Sequence, residues 1–217
     1  MKRISGFLGL LCLLSCASKP FENKRIAMTA AELLGNPDYP ALCYGGYRTT
    51  TRDQVPTVAE IKEDLQILAA MKIKILRTYN VHYAEAEHLL QAIRELQKEQ
   101  PRFEMYVMLG AWIDCKNAWT TAPPIHQEES ERNAVEIAEA VRLTQAYPEI
   151  VKIIAVGNEA MVHWASAYYV TPKIILNGSI ICNRLKKRGN FPLRYGLRLP
   201  IILPRGVAGT AYITTPI

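Results

Sequence analysis

The stretch VKIIAVGNEAMVHWA, Val151 to Ala165, is the most informative part of the chain for its fold. Its first six residues are mostly apolar and β-branched, which is typical of a strand buried on both faces of a parallel sheet. Gly157 ends this run, and the polar pair Asn158 and Glu159 follows at once. Parallel α/β folds present their functional groups at the carboxyl ends of the strands, so we expect this pair to lie at such an edge.

Three similar units come before this stretch, and each has a predicted strand followed by a predicted helix. The strands are ALCYGGY (41–47), IKILRTY (73–79) and RFEMYVMLGAW (102–112). The helices are TVAEIKEDLQILAAM (57–71), AEAEHLLQAIRELQKEQ (84–100) and QEESERNAVEIAEAVRLTQAYPE (127–149), with a loop at 113–126 before the last. Thr57 and Glu60 form a predicted capping box, and the acidic start of the third helix suits the helix dipole.

Four strand-then-helix units in a row predict parallel strands joined by right-handed crossovers, hence an α/β fold. A doubly wound dinucleotide-binding sheet would carry GxGxxG after its first strand, but here the glycines are followed by YRTTTRDQ (47–54). We therefore predict a partial (β/α)8 TIM barrel, its first four β/α units at 41–176. The chain has 217 residues, whereas a complete barrel typically needs about 250.

The amino terminus, MKRISGFLGLLCLLSC (1–16), has Lys2 and Arg3 before a short apolar run, as in a secretory signal peptide. LLSC resembles the bacterial lipobox, in which the cysteine, here Cys16, becomes the lipidated first residue. A cleaved signal with an incidental cysteine is the alternative. Residues 17–40 are predicted to be a linker, and the protein is expected in the bacterial cell envelope, anchored by lipid at the outer membrane or in the periplasmic or extracellular space.

Metal and nucleic-acid binding are not expected. No CxxC or HExxH spacing is present, so we predict no metal site. The formal charge of +6 is unevenly spread: residues 1–159 carry 18 Lys+Arg against 20 Asp+Glu, whereas residues 160–217 carry 8 Lys+Arg and no acid. The basic run RLKKRGN (184–190) has no interleaved aromatic residues, so a solvated surface is a simpler interpretation than a nucleic-acid site.

The motifs CYGGYR (43–48), EDLQILAAMKIKILRTY (63–79), VMLGAWID (107–114) and VGNEAMVHWA (156–165) resemble glycoside hydrolase family 17 in its bacterial form. The resemblance covers about residues 42–176, and its most specific part is the Asn-Glu pair. It implies a (β/α)8 barrel that hydrolyses β-glucan, a β-1,3-glucan-like polysaccharide, with retention of configuration and without a cofactor.

The resemblance also implies roles for individual residues. Glu159 matches the general acid/base, and Asn158 matches the amide that binds the sugar 2-hydroxyl. Further substrate-binding candidates lie at or just past predicted strand ends: Tyr44, Arg77, Tyr79, Trp112 and Trp164. The rings can stack on sugar faces and Arg77 can orient a carboxylate. Simpler alternatives are an ordinary helix N-terminal acid for Glu159, core packing for each aromatic residue and a barrel ion pair for Arg77.

The tail departs from the resemblance. Retention requires a second carboxylate as nucleophile, which in such barrels is a Glu at the end of strand seven, and no Asp or Glu follows Glu159. Residues 177–217 also show no helical or strand period. Codons for residues 177–209, read in a shifted frame, can spell an amphipathic helix and then a strand. We interpret 177–217 as a frameshifted, poorly ordered tail.

Two hypotheses of different class follow from the sequence. The first is a fragment of a retaining glycoside hydrolase that carries the acid/base but lacks the nucleophile, and is therefore inactive as it stands. The second is a non-catalytic carbohydrate-binding lipoprotein that kept the sugar cleft. An exported, anchored protein with a doubly wound fold is a third, weaker alternative.

Overall fold

The computed structural model describes residues 21–188, 201–203 and 211–213. The predicted signal peptide, including Cys16, and most of the predicted tail lie outside these residues. Within them the helices are α1 Phe21–Ala27, α2 Ala30–Leu33, α3 Val58–Ala70, α4 Glu85–Glu99, α5 Arg132–Ala146 and α6 Pro172–Arg188. The strands are β1 Ala41–Cys43, β2 Ile75–Arg77, β3 Tyr106–Ala111, β4 Cys115–Lys116, β5 Ile125–Glu129, β6 Val151–Val156, β7 Ile201–Leu203 and β8 Ala211–Ile213.

The main sheet has the order β1-β2-β3-β6-β7-β8. The first five of these strands are parallel, and β8 pairs antiparallel with β7. The predicted α/β fold with a parallel sheet is therefore confirmed. The strand order follows the chain order, with no switch point of the kind that defines a doubly wound sheet.

The helices cover the sheet with apolar faces at helical spacing. In α3 the buried residues are Ile61, Leu65 and Leu68, and the predicted capping box is present: the Thr57 hydroxyl accepts from the Glu60 amide at 3.2 Å, and the Glu60 carboxylate accepts from the Thr57 amide at 2.8 Å. This box satisfies two amides that the first turn of a helix leaves without intrahelical partners. All six residues of β6 are buried, as the apolar run predicts.

The segment predicted to be a linker is instead packed against the amino ends of the strands. Leu33 of α2 is buried against Ile75 and Tyr106, the first residues of β2 and β3. The Arg25 guanidinium of α1 donates to the carbonyls of Pro101 and Phe103 at 2.6 and 2.9 Å. The linker prediction was wrong for 21–34 because both helices are too short to show an apolar period, and long-range contacts hold them.

The segment between β3 and α5 also differs from the prediction. Residues 113–126 are not a simple loop, and α5 does not begin at Gln127, because β4 and β5 form an antiparallel hairpin and the helix begins at Arg132. Lys116 and Glu128 pair across the hairpin at 2.7 Å, so Glu128 serves the hairpin rather than the helix dipole.

Helix α6 runs past Leu176 to Arg188, so residues 177–188 are helical although they were predicted to be poorly ordered. Ile175, Ser179 and Cys182 are buried at helical spacing. A Cβ on Gly178 would lie 3.1 Å from Ile137 Cδ1 and 3.2 Å from Val156 Cγ1, so the absent side chain lets α6 pack closely on α5 and β6. Among the described helices, none is both long and apolar enough to cross a membrane.

Candidate functional site

The predicted site residues lie where the parallel strands end. β1 ends at Cys43, β2 at Arg77, β3 at Ala111 and β6 at Val156. The residues that follow these ends, together with Arg77 itself, supply six of the seven residues predicted from the sequence to bind substrate or carry out the reaction. Trp164 follows further along, in the connection between β6 and α6.

Arg77 and Asn158 are in direct contact, although 81 positions separate them in the sequence. Arg77 Nη2 donates to Asn158 Oδ1 at 2.9 Å, and Asn158 is 8% exposed. Because a guanidinium can only donate, this contact assigns the oxygen of the Asn158 amide to Arg77 and leaves the amide N–H groups as donors. Arg77 therefore leaves Asn158 able to donate hydrogen bonds to a ligand through its N–H groups. Arg77 Nη1 also lies 3.9 Å from the sulfur of Cys43, an exposed free cysteine.

Glu159 stands exposed on a turn with unusual backbone angles. Gly157 has φ 83° and Glu159 has φ 49°, both in the left-handed region that non-glycine residues rarely adopt. A Cβ on Gly157 would lie 2.9 Å from Ile175 Cδ1, so the turn requires glycine for space as well as for φ. The Gly157 amide donates to the Ala111 carbonyl at 2.8 Å and fixes the start of the turn on β3. Strained backbone of this kind occurs preferentially at functional sites.

Glu136 of α5, which the sequence analysis did not single out, holds two of the surrounding loops. It is buried, and its Oε1 accepts from the Val81 amide at 2.7 Å and from the Trp112 amide at 2.9 Å. Its Oε2 lies 3.1 Å from His82 Nδ1. One carboxylate therefore fixes the loop after β2 and the residue after β3. No local pattern in the sequence distinguishes it from the other acids of this helix.

Tyr79 is positioned by a close approach between β3 and the segment after β2. A Cβ on Gly110 would lie 2.4 Å from the Thr78 carbonyl oxygen, and the Gly110 amide donates to Thr78 Oγ1 at 2.9 Å. The half-buried Tyr79 lies near Cys43, and burial first and the cysteine second raise the pKa of its phenol. Tyr79, Cys43, Arg77 and Asn158 thus belong to one part of the edge.

A cluster of three aromatic rings forms another part of the edge. Trp112 and Trp119 lie 5.2 and 4.9 Å from Tyr168 between ring centroids, and Trp119 is stacked on Tyr168 at 23°. Burial raises the pKa of the Tyr168 phenol, and the Glu159 carboxylate raises it further. Trp112 directly follows Ala111, whose carbonyl accepts from the Gly157 amide, so the cluster adjoins the turn that carries Glu159. Trp112 was predicted. Trp119 and Tyr168 were missed because they come from the unpredicted hairpin and from the irregular segment after β6.

Two predicted residues take other positions. Tyr44 is buried, and its hydroxyl donates to Asp64 Oδ2 on α3 at 2.8 Å, so its ring is committed to the core and is not free to stack on a sugar. Trp164, four residues before Tyr168, is 69% exposed and is not part of the aromatic cluster. Among the described residues, no group of three or more His, Cys, Asp or Glu side chains could hold a metal ion.

The parallel α/β sheet thus carries an amide, a carboxylate and aromatic rings at its carboxyl edge. The chain is similar to the crystal structure of an endo-laminarinase from Formosa Hel1_33_131, with 55% sequence identity and a TM-score of 0.74. The match covers 77% of this chain and 43% of that one, so the chain spans less than half the length of that enzyme. No protein-family model and no curated protein matches the chain.

Proposed function

We propose that this chain is part of a retaining glycoside hydrolase that acts on β-1,3-glucan, with the family 17 type of active site. The observation that carries the proposal is the identity of 55% to an endo-laminarinase, combined with the Asn158–Glu159 pair at the carboxyl end of β6. The strand order without a switch point supports a partial barrel as the architecture. The substrate is a glucan or its oligosaccharides, no cofactor is needed, and nucleic acid is not a partner.

Glu159 is the proposed general acid/base. Retaining hydrolysis needs one carboxylic acid to protonate the leaving oxygen and a carboxylate about 5–5.5 Å away to attack the anomeric carbon. Glu159 is exposed at the edge, where a glycosidic oxygen can reach it. Asn158, with its oxygen bonded to Arg77, would donate an N–H to the oxygen of the sugar 2-hydroxyl. Tyr79 and Trp112 would contact the same sugar, and Trp164 a more distant one.

The nucleophile is proposed to lie outside this chain. No acidic residue follows Glu159, and the match covers 43% of the laminarinase. The 217-residue chain is therefore expected not to hydrolyse β-glucan, because Glu159 can protonate a leaving group but the proposed nucleophile is absent. The frameshift hypothesis predicts that the gene, read in the other frame after Leu176, encodes the remaining strands.

The test is a chimera in which residues 41–176 replace the matching part of the endo-laminarinase. We expect it to hydrolyse β-1,3-glucan, and we expect Glu159→Gln to lower its turnover by roughly 10²- to 10⁴-fold, as loss of a general acid does. The loss should be smaller on aryl glucosides whose leaving group needs no proton. Glu131→Gln, an exposed acid beyond the edge, is the control. Parental turnover in Glu159→Gln would refute the assignment of Glu159.

The alternative is a non-catalytic carbohydrate-binding lipoprotein. It predicts that the natural chain binds β-1,3-gluco-oligosaccharides, whereas the chimera binds them and releases no sugar. Reducing-end release by the chimera, absent in Glu159→Gln, would exclude it. The export and lipid anchor that both hypotheses share rest on Cys16 and its preceding apolar run.

A further inference from the structure

Trp119 is presented to solvent by the connection between two short antiparallel strands, next to the buried Ala118. It stands in the connection between β4 and β5, and it is 58% exposed, whereas Tyr168 beneath it is buried. Trp119 is therefore a large ring with one face supported by a buried aromatic and its other face open, a geometry that can receive the flat face of a sugar. Aromatic rings stack well on the flat apolar faces of glucose units.

The backbone around Trp119 is strained, and several hydrogen bonds maintain the strain. Trp119 has φ 64°, and Asn117 has φ 65°. A left-handed conformation is unfavourable for a bulky L residue, because its Cβ approaches the following carbonyl oxygen. The Arg132 guanidinium donates to the Ala118 carbonyl at 3.1 Å and to Asp114 Oδ2 at 2.8 Å, and the Asn117 amide donates to the Pro123 carbonyl at 3.0 Å. The loop is therefore fixed in a shape that holds the ring outward.

The position of Trp119 relative to the reactive carboxylate is also defined. Trp112 links the two: its ring centroid lies 6.4 Å from that of Trp119, and it follows Ala111, whose carbonyl accepts from the Gly157 amide two residues before Glu159. The hairpin is fastened to the segment after β6, because the Thr171 amide donates to the His126 carbonyl at 3.1 Å and His126 Nδ1 lies 2.8 Å from the Tyr169 carbonyl. The Val170 amide in turn donates to the Ala160 carbonyl at 2.7 Å, so hydrogen bonds connect the hairpin with the residue after Glu159.

We propose that Trp119, supported by Tyr168, is the platform of an oligosaccharide subsite next to the sugar that Asn158 holds, and that it selects for longer β-1,3-linked glucose chains. This inference rests on the proposed function and deepens it. Asn158 acts on the sugar at the point of cleavage, whereas Trp119 acts on a neighbouring sugar. Trp119 should therefore matter for a hexasaccharide and not for a disaccharide.

The test is calorimetric titration of the natural chain with β-1,3-linked glucose hexasaccharide and disaccharide. We expect Trp119→Ala to weaken hexasaccharide binding by about tenfold, the size expected for truncating a tryptophan that contributes strongly to binding. Disaccharide binding should stay within about twofold of the parent. Trp119→Phe should retain most of the affinity, and Tyr83→Ala, another exposed aromatic, should change nothing. Circular dichroism confirms folding of each variant.

The outcomes separate the two proposals. If Asn158→Ala weakens binding of both sugars while Trp119→Ala behaves like Tyr83→Ala, the subsite is refuted and the proposed function stands. Equal weakening of both sugars by Trp119→Ala would also refute the subsite, because it would indicate a general disturbance of the cleft. If the parent chain binds neither sugar, the subsite is refuted, whereas the proposed function is still decided by hydrolysis in the chimera and its loss in Glu159→Gln.

Discussion

One hydrogen bond determines which atoms Asn158 offers to a ligand. An amide side chain can turn either its oxygen or its nitrogen towards a sugar, and the 2.9 Å contact from Arg77 takes the oxygen. The sequence placed both residues at strand ends but gave no indication that they touch. The pairing is a product of the parallel sheet, in which β2 and β6 are separated by β3 alone.

We expect Arg77→Ala to weaken binding of β-1,3-linked glucose disaccharide by roughly tenfold, because Asn158 loses the partner that orients it. Arg77→Lys should restore little of the disaccharide affinity, because an ammonium group lacks the planar fork of donors that a guanidinium has. Arg48→Ala, which removes a guanidinium that pairs with Asp64 on α3, is the control. Equal affinities in Arg77→Ala and the parent, measured by calorimetry, would exclude the orienting role.

Burial of Glu85, in the first turn of α4, makes the stability of the fold depend on pH. Glu85 is 3% exposed, its Oε1 has no hydrogen-bond partner among the described residues, and burial raises its pKa to about 7, against a small opposing effect of Arg52. A folded-state pKa above the unfolded value of 4.5 means that the group stabilises the fold below pH 4.5 and that this contribution disappears as pH rises towards 7.

Glu85→Gln should therefore stabilise the protein at pH 8, where the parent buries a carboxylate, by up to about 3 kcal/mol. At pH 4.5 the two proteins should unfold alike. The measurement is urea unfolding of both proteins at pH 4.5, 6 and 8. A stability difference that did not change with pH would show that Glu85 keeps its ordinary pKa in the fold. Glu87→Gln, which changes a partly exposed acid in the same turn that pairs with Arg142 at 3.1 Å, serves as the comparison.

At the scale of elements, α5 connects the loops that carry the site. Glu136 accepts two backbone N–H groups from the segments after β2 and β3. Glu136→Ala should leave both donors buried without partners and destabilise the fold by about 2–4 kcal/mol, whereas Glu136→Gln retains one oxygen and should cost about 1 kcal/mol. Chemical denaturation checks the order of the two variants. Equal losses of stability in the two variants would show that the loops depend on the negative charge of Glu136 and not on its acceptor oxygen.

The elements that could be predicted are those with local signals. The capping box at Thr57, the apolar run of β6 and the amphipathic helices α3 and α4 follow from period and capping chemistry, and together they give the parallel α/β fold. The β4–β5 hairpin could not be predicted, because its acidic strand resembles the first turn of the helix after it. Helices α1 and α2 depend on contacts such as Arg25 with Phe103, which no local pattern encodes.

At the scale of the whole molecule, the tail and the amino terminus carry the predictions that concern activity and location. The acid-free tail predicts a protein without glucan hydrolysis of its own. The lipobox at Cys16 predicts anchoring to a bacterial membrane, which needs several acyl chains because one chain holds a protein only marginally.

Replacing Cys16 with Ala should release the protein from membranes into the soluble fraction, because the sulfur that would carry the lipid is gone. Cys43→Ala, which removes an exposed thiol at the end of β1, should leave fractionation unchanged. Immunoblots of membrane and soluble fractions check both variants. Membrane retention of Cys16→Ala would count against the lipid anchor.

The docking of α1 at the amino ends of the strands would set how the protein is oriented on a membrane if Cys16 carries the lipid. Phe21, where α1 begins, is five positions beyond Cys16, a tether that spans at most about 18 Å. An anchor on so short a tether would turn the Arg25 end of the molecule towards the lipid. The opposite end, with Asn158, Glu159 and Trp119, would then face away from the membrane, open to a polymer too large to enter the space beneath the protein.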